Sequence, residues 1–231
     1  MENSSIIFKM NAKENCFIDK SVQIGKNVTI YPNNILVGNC IVQDNVVLYP
    51  NNIINDSIIC KGATVACSVV EKSVVGENTT VGPFSRLRPC SEIGSGVKIG
   101  NFVEVKNSKI ANSTKVSHLS YIGDCNIGEN VNIGCGVVFV NFNGKKKFRS
   151  VVKNGAFVGS SVNVISPVVI GEKSFICAGT NVTENVEDGA FVIGRSRMNV
   201  KKSKAKKYLE KEWICRSFLA QMDFVGLHFQ T

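Results

Sequence analysis

Aliphatic residues recur at every sixth position along most of the chain, with a few slips of one residue. An amphipathic helix would space them by three and four residues, and a half-buried strand would alternate at every second residue. A period of six instead predicts one short strand and one corner in each hexapeptide. The residues in step are Ile18, Ile24, Ile30, Val42, Leu48, Ile54, Val69, Val75, Val81, Leu87, Ile93, Ile99, Val105, Ile110, Val116, Ile122, Ile127, Ile133, Val152, Val158, Val164, Ile170, Ile176 and Val182.

A longer repeat indicates how many hexapeptides complete one coil. The pentapeptide YPNNI occurs at Tyr31–Ile35 and again at Tyr49–Ile53, 18 residues later. Three hexapeptides per coil predict a triangular parallel β-helix, in which each aliphatic side chain points inward and stacks on its counterpart about 4.8 Å away. Gly and Asn tolerate a positive φ and therefore suit the corners. The predicted fold class is all-β.

Breaks in the period mark the predicted domain organisation. Residues 1–14 are a lead-in, and residues 15–195 form about ten coils of β-helix. The period fails near residues 139–150, which predicts a loop ejected from one corner, and long loops on rigid scaffolds often carry function. Residues 196–231 are predicted to be a basic linker and a C-terminal helix, because Tyr208, Leu209, Trp213 and Phe218 follow at near-helical spacing.

The formal net charge of +9 favours anionic partners, but the placement of the charges is more informative. Five lysines lie within residues 201–207, a run that is usually a solvated face, so nucleic-acid binding is not favoured. Single basic residues stand instead within the repeats, at Arg86, Arg88, Lys106 and Lys147. They predict binding of a small phosphorylated molecule.

Cysteine and histidine usage limits the possible chemistry. The nine cysteines include no Cys-x-x-Cys pair, which favours reduced thiols in the cytoplasm over a disulfide framework or a structural zinc site. No apolar run reaches the length of a transmembrane helix, and no signal peptide is recognisable, so no membrane partner is expected. His118 and His228 are the only histidines, too few for a three-histidine catalytic zinc.

His118 is the candidate general base. It lies two residues after the aliphatic Val116, at an outward position, and an imidazole can accept a proton near neutral pH. Glu104, about one coil earlier, is predicted to orient a partner or to contact an amine. The alternatives are a purely structural histidine and a covalent mechanism that uses Cys125 or Cys135.

Several motifs resemble one family of enzymes, from about Val75 to Arg195. They are VGPFSRLRP, GNFVEVKN, SHLSYIGD, NIGENVNIGCG, NFNGKKKF and FVGSSVNVISPVVIG. In this order they closely resemble the acetyltransferase portion of the bacterial bifunctional glucosamine-1-phosphate N-acetyltransferase / N-acetylglucosamine-1-phosphate uridyltransferase, a hexapeptide-repeat acyltransferase. The uridyltransferase portion has no counterpart among these motifs. The resemblance also implies that the β-helix is left-handed.

The resemblance implies direct acetyl transfer from acetyl-CoA to glucosamine 1-phosphate, which feeds UDP-N-acetylglucosamine synthesis and requires no metal. It places the catalytic base at His118. It places contacts to the sugar phosphate at Arg88, Lys106, Tyr121, Asn132 and Lys147. It places contacts to acetyl-CoA at Cys135, Asn141, Phe142, Ser160, Ala178 and Arg195, with the backbone N–H of Cys135 facing the thioester carbonyl.

Two residues depart from the family pattern, since Phe142 stands where Tyr is usual and Cys135 stands where Ala is usual. A homotrimer is expected, with active sites between neighbouring prisms, because the outward cluster around His118 is open on one face. Two alternatives remain at this point. One is an acetyltransferase for another amino sugar, including a nucleotide-linked one, and the other is a non-catalytic β-helix assembly module.

Overall fold

The computed structural model describes residues 6–205 and Leu209, and the regular elements within residues 6–205 are all β-strands. In chain order they are β1 Ile7–Phe8, β2 Phe17–Ile18, β3 Gln23–Ile24, β4 Thr29–Ile30, β5 Ile35–Val37, β6 Ile41–Val42, β7 Val47–Leu48, β8 Ile53–Asn55, β9 Ile58–Ile59, β10 Thr64–Val65, β11 Val69–Glu71, β12 Val74–Val75, β13 Thr80–Val81, β14 Arg86–Leu87, β15 Glu92–Ile93, β16 Lys98–Lys106, β17 Lys109–Ile110, β18 Lys115–Gly123, β19 Cys125–Ile127, β20 Asn132–Ile133, β21 Val138–Val140, β22 Ser150–Val152, β23 Phe157–Val158, β24 Asn163–Ile165, β25 Val169–Ile170, β26 Phe175–Ile176, β27 Asn181–Val182 and β28 Phe191–Val192.

Every strand pairs in parallel with the strand one coil away, so the sheets are ladders along the axis of the prism. The pairing of β4 with β7 sets Ile30 beside Leu48, 18 residues later. Strands β16 and β18 are nine residues long and continue round a corner, which joins two faces of the prism into one hydrogen-bonded sheet. The predicted parallel β-helix of about ten coils is confirmed.

The core is a stack of aliphatic side chains, one from each hexapeptide. Leu36, Ile54, Val70 and Leu87 follow one another in register, and all four are fully buried. The sequence pattern placed Val69 in this stack, which was wrong by one residue. The coil from Val70 to Leu87 has 17 residues instead of 18, so the inward position is Val70. Val69 pairs with Arg86 on the outer surface.

Asparagines occupy the corners of the first coils, as the sequence predicted. Asn33 and Asn51 have φ values of 61° and 64°, and the side-chain amide of Asn33 donates to Oδ1 of Asn51 at 3.1 Å. Behind this corner the buried amide of Asn52 donates to Oδ1 of Asn34 at 2.8 Å. These amide ladders satisfy the polar groups of each coil with those of the next.

The two ends of the β-helix are defined by strand pairing and by the extent of the compact unit. The compact unit ends at Arg195. At the N-terminal side, β1 already pairs with β4, so strand pairing begins inside the predicted lead-in. The predicted C-terminal helix, with Tyr208, Trp213 and Phe218, lies outside the described residues, and so does His228. Among the residues that the structure describes, no helix has the length and apolarity needed to cross a bilayer.

Candidate active site

The two long strands carry the candidate base. Strand β18 pairs with β16 through seven residues, and this register sets His118 directly beside Asn101. Nδ1 of His118 lies 2.9 Å from Oδ1 of Asn101. Because an amide oxygen only accepts hydrogen bonds, Nδ1 is the donor in this contact, and in the neutral imidazole the lone pair is then on Nε2. The imidazole is exposed, so Nε2 is available to a substrate.

Glu104 lies away from His118. Its Oε1 accepts a hydrogen bond from Nη1 of Arg88 at 2.9 Å, and both side chains are about 40% exposed. This hydrogen bond is the main reason that the pKa of the Arg88 guanidinium is raised. Glu104 therefore orients Arg88, and Asn101 is the residue that orients the histidine.

Three basic residues form a cluster, here called the cation cluster, of Arg88, Lys106 and Lys147. Nζ of Lys106 lies 3.3 Å from Oδ2 of Asp124. The contact with Lys147 is the main cause of the raised pKa of Lys106, and the Asp124 carboxylate also raises it. The pKa of Lys147 is lowered, chiefly by its contact with Lys106. A group of basic side chains held this close together favours the binding of an anion.

The ejected loop is a short hairpin that delivers Lys147 to this cluster. Phe142 and Lys147 form an antiparallel bridge, and the backbone N–H of Phe148 donates to the carbonyl of Asn141 at 2.8 Å. Oδ1 of Asn143 accepts the backbone N–H groups at the tip of the turn. Residues 141–149, between β21 and β22, are called the hairpin below.

The cation cluster and the histidine lie on neighbouring faces of the prism. Tyr121 follows His118 by three residues on β18, and the corner at Leu119 separates them. Tyr121 pairs with Glu104, and its hydroxyl lies within 3.4 Å of the side-chain amide of Asn141. Tyr121 thus stands with the cation cluster, whereas His118 faces the adjacent side.

Four of the candidate residues lie in one column parallel to the axis, here called the histidine column. Extending the register of β18, β20, β23 and β26 places His118, Cys135, Ser160 and Ala178 on successive coils. Backbone hydrogen bonds continue this register, since Ser161 donates to the carbonyl of Cys135 at 2.7 Å. The predicted coenzyme contacts therefore extend in line from the candidate base.

The remaining predicted residues lie around these groups. Nη1 of Arg195 donates to the carbonyl of Ala178 at 3.1 Å, at the end of the histidine column. Phe142 is half-exposed on the hairpin. Asn132 lies on the ladder between Lys115 and Phe157, on the face of His118, and is not brought to the cation cluster.

The two candidate cysteine nucleophiles differ in their surroundings. Cys125 is fully buried, and burial raises the pKa of its thiol, which makes it unsuited to nucleophilic attack. Cys135 is exposed beside His118 in the histidine column. Within residues 6–205 no three His, Cys, Asp or Glu side chains are grouped as ligands for a metal ion.

Sequence reasoning missed two residues of the site. Asn101 precedes His118 by 17 residues, one coil, so the repeat length alone could have identified it as the neighbour of the histidine. Asp124 was visible only as the last residue of the motif SHLSYIGD. Its contacts with Lys106 and Asn141 depend on a corner and a hairpin, which no spacing reveals.

Comparisons with known proteins are consistent with this architecture. The family model "Bacterial transferase hexapeptide (six repeats)" matches residues 72–107. The bifunctional protein GlmU of Clostridioides difficile is 47% identical over 196 residues, which are 85% of this chain and 43% of that protein. The GlmU of Clostridium kluyveri is 46% identical over 212 residues, which are 91% of this chain and 46% of that protein. A solved UDP-N-acetylglucosamine acyltransferase of Francisella novicida aligns with a TM-score of 0.47 and 16% identity, over 89% of this chain and 75% of that one.

The chain thus spans less than half the length of the bifunctional proteins that it matches. The matched stretches are longer than the part of the chain that follows Val75, so the similarity also includes coils before the motifs that first indicated it. The resemblance predicted from those motifs is confirmed, because the chain is similar to somewhat less than half of GlmU over most of its own length and matches the bacterial transferase hexapeptide model over residues 72–107.

Proposed function

We propose that this protein transfers the acetyl group of acetyl-CoA directly to the amino group of glucosamine 1-phosphate, with His118 as the general base. One observation carries the proposal. Strands β16 and β18 hold an oriented, exposed imidazole on one side of a corner and a cluster of cations on the other side. A base for an amine and a site for a phosphate are the two features that this acceptor requires.

The base is prepared for its role by Asn101. With Nδ1 protonated and bonded to Asn101, Nε2 of His118 takes the proton of the attacking amine. The amine nitrogen bonds to the thioester carbon, and the carbon–sulfur bond then breaks. The proton passes from Nε2 to the departing thiolate of coenzyme A. No covalent enzyme intermediate is needed, because the amine itself is the nucleophile.

Developing charge on the thioester oxygen needs a hydrogen-bond donor. The resemblance assigns this role to the backbone N–H of Cys135, which lies one coil from His118 in the histidine column. Backbone donors held rigidly near such an oxygen stabilise the tetrahedral intermediate. Since only the backbone takes part, Cys in place of Ala leaves this function intact.

The cation cluster supplies the contacts to the acceptor phosphate. Arg88 and Lys106 are each held by one carboxylate, Glu104 and Asp124, and Lys147 adds a positive charge from the hairpin. Arginine suits bidentate contacts to phosphate oxygens, and lysine adds a point charge. The cluster therefore discriminates a sugar phosphate from an uncharged amino sugar.

Acetyl-CoA is proposed to lie along the histidine column. Successive coils are about 4.8 Å apart, so Cys135, Ser160 and Ala178 offer contacts at regular steps to an extended chain. Arg195 stands at the far end, where the phosphates of the coenzyme would require a cation. Asn141 and Phe142 approach this path from the hairpin. Phe142 lacks the hydroxyl of the usual Tyr but keeps an aromatic ring that can contact the coenzyme.

A homotrimer is proposed as the active form, because one prism leaves the site open. Phe84, Phe102 and Leu119 are each about 60% exposed along the corner between the two faces. Exposed apolar side chains in a row are typical of an interface. A neighbouring prism would cover this corner and close the site around both substrates.

Light scattering should give about three times the chain mass of 25.1 kDa, and a fully active monomer would contradict the trimer.

Acceptor profiling tests the function directly. Acetyl-CoA consumption is measured with glucosamine 1-phosphate, glucosamine 6-phosphate, free glucosamine and a UDP-linked amino sugar. The highest kcat/KM is expected for glucosamine 1-phosphate. A clear preference for another acceptor would change the proposed substrate but leave the proposed acetyl transfer in place. No binding of acetyl-CoA and no turnover with any acceptor would favour the non-catalytic assembly module.

A further inference from the structure

Asp124 joins the two halves of the candidate site. Its carboxylate is only 8% exposed and receives three side-chain hydrogen bonds. Oδ2 accepts from Nζ of Lys106 at 3.3 Å and from Nδ2 of Asn141 at 2.5 Å, and Oδ1 accepts from Nδ2 of Asn107 at 2.5 Å. One carboxylate therefore holds a member of the cation cluster and the first residue of the hairpin.

The carboxylate is charged in this setting. Burial alone would raise the pKa of Asp124, but the hydrogen bonds from Asn107 and Lys106, together with the charge of Lys106, lower it below the usual value. A charged acceptor forms stronger hydrogen bonds than a neutral one. Asp124 thus remains ionised at any pH at which the enzyme would work.

The corner itself does not demand an aspartate. The same corner on the preceding coils holds Lys72, Cys90 and Asn107, which also have positive φ values, and their backbone N–H groups form equivalent hydrogen bonds between coils. Side chains of quite different chemistry therefore satisfy the turn. The aspartate at 124 coincides with the coil from which the hairpin is ejected.

The hairpin is anchored at both ends. At its start, Asn141 donates to Asp124. At its end, Arg149 donates to Oδ1 of Asn126 and to the carbonyl of Asn107, each at 2.8 Å. Between these anchors, the bridge from Phe142 to Lys147 determines where the lysine projects. A loop fixed at both ends can present Lys147 in one position beside Lys106.

We infer that Asp124 is a positioning residue that anchors the hairpin and thereby holds Lys147 beside Lys106 and Asn141 beside the acetyl-CoA path. This inference rests on the proposed function for the roles of Lys147 and Asn141. The anchoring itself follows from the contacts of Asp124. Loss of the carboxylate would release both proposed substrate sites through one change.

The test compares Asp124→Asn with Asp56→Asn. Asp56 is a corner aspartate with a φ of 45°, and its Oδ1 accepts the backbone N–H of Asn39 at 2.9 Å, remote from the hairpin. In Asp124→Asn the side chain keeps one acceptor oxygen, but its NH₂ group replaces the other oxygen and faces the donors of neighbouring side chains, so at least one hydrogen bond is lost. Hydrogen–deuterium exchange of residues 141–150 should accelerate roughly ten- to hundredfold in Asp124→Asn. Unchanged exchange, as expected for Asp56→Asn, would overturn the anchoring role.

Kinetics test whether the anchor serves the chemistry. In Asp124→Asn the KM values for glucosamine 1-phosphate and for acetyl-CoA should both rise, with a smaller change in kcat. In a Lys147→Ala background, the same substitution should raise the KM for the acceptor by a smaller factor than it does alone, because the anchored lysine is already absent. Equal factors in the two backgrounds would show that Asp124 does not act through Lys147.

A second variant covers the case in which Asp124→Asn does not fold. Asn141→Ala removes the partner on the hairpin and keeps the contact between Lys106 and Asp124. It should reproduce the faster exchange of the hairpin, and normal exchange in this variant would also overturn the anchor. The exchange measurement needs no turnover. If the unsubstituted protein does not acetylate glucosamine 1-phosphate, the proposed function fails and the exchange data still decide the role of Asp124.

Discussion

The first coils and the middle coils of the prism use the same corner in different ways. In the first coils the corner carries Asn33 and Asn51, whose side chains bond to each other. In the middle coils it carries Phe84, Phe102 and Leu119, with φ values of 59°, 57° and 38° and side chains largely exposed.

A left-handed conformation is unfavourable for bulky residues and is frequent at functional sites. At this corner the first coils carry polar side chains that bond to each other, whereas the middle coils carry bulky apolar side chains that are largely exposed.

The polar side chains of the first and middle coils differ as well, in their charge. Asn34 and Asn52 are neutral, buried and bonded to their counterparts one coil away. In the middle coils, Arg88, Lys106 and Lys147 bring positive charges close together. Glu104 and Asp124 pair with two of these charges, and Lys147 adds a third, so the cluster keeps an excess positive charge that favours an anion. The difference separates scaffold from candidate site, and the following predictions test it.

The largest effect is expected from His118→Ala. If the histidine is the base, kcat should fall by roughly 10²–10⁴, the usual range for the loss of general-base assistance. Binding of both substrates should change little, because the lost contact forms in the transition state. Higher pH should partly restore the rate, since more of the acceptor amine is then neutral. His228→Ala is the matched control and should keep the normal rate; normal turnover by folded His118→Ala would contradict the mechanism.

Arg88→Ala should weaken use of the acceptor, with Arg86→Ala as its control two residues away. Arg88 is paired with Glu104 in the cation cluster, whereas Arg86 is paired with Glu71 outside it. The loss of one charged hydrogen-bond partner costs about 1.5–3 kcal/mol, so the KM for glucosamine 1-phosphate should rise roughly ten- to hundredfold. The KM for acetyl-CoA should stay constant. Equal effects of the two variants would assign Arg88 to the scaffold.

The pH dependence of the acceptor KM should report Lys147. Its pKa is lowered from the usual 10.5, first by contact with Lys106, so its charge is lost as pH rises through that lower value. The KM for glucosamine 1-phosphate should therefore increase on the alkaline side, by up to about tenfold. Lys147→Arg retains the charge and should abolish the increase. Identical profiles for the two proteins would show that another group titrates.

A smaller loss is expected from Asn101→Ala. The variant removes the acceptor at Nδ1 of His118, so the imidazole can adopt either tautomer and rotate. A neutral hydrogen bond contributes about 0.5–1.5 kcal/mol, which corresponds to a two- to tenfold lower kcat. Asn112, whose Oδ1 accepts the backbone N–H of Ser95 in another corner, offers a control as Asn112→Ala. An unchanged kcat in Asn101→Ala would show that the contact between Asn101 and His118 does not contribute to the reaction.

The smallest effect on stability is expected from Phe102→Asn, which places the residue type of the first corners in the middle coils. The change relieves the left-handed strain of a bulky residue but loses the stacking of Phe84 on Phe102, whose ring centroids are 5.7 Å apart. These contributions oppose each other, so Tm should shift by less than about 4 °C. Activity and trimer content should nevertheless fall. A normal trimer with full activity would show that the exposed corner has no partner.

The sequence predicted the scaffold more fully than the site, for a physical reason. One inward aliphatic per hexapeptide is a local rule, so the period alone predicted Leu87 and Val105 in the core. The register also predicted, in principle, that a residue one coil before His118 is its neighbour, although Glu104 was chosen and Asn101 is found there.

Contacts through the ejected hairpin are different, because its path depends on a corner and on two anchors. For that reason the charge pattern predicted that Lys147 binds a phosphorylated molecule but did not place it beside Lys106, and Asp124 received no role.

Substrate protection gives the most direct test of this account. Hydrogen–deuterium exchange is measured on the unsubstituted protein alone, with coenzyme A, with glucosamine 1-phosphate and with both ligands. Protection is predicted in β16, β18 and the hairpin, and along the histidine column when coenzyme A is present, while residues 16–71 stay unchanged. Protection confined to residues 16–71, or no protection by either ligand, would contradict the assignment of acetyl transfer to the middle coils.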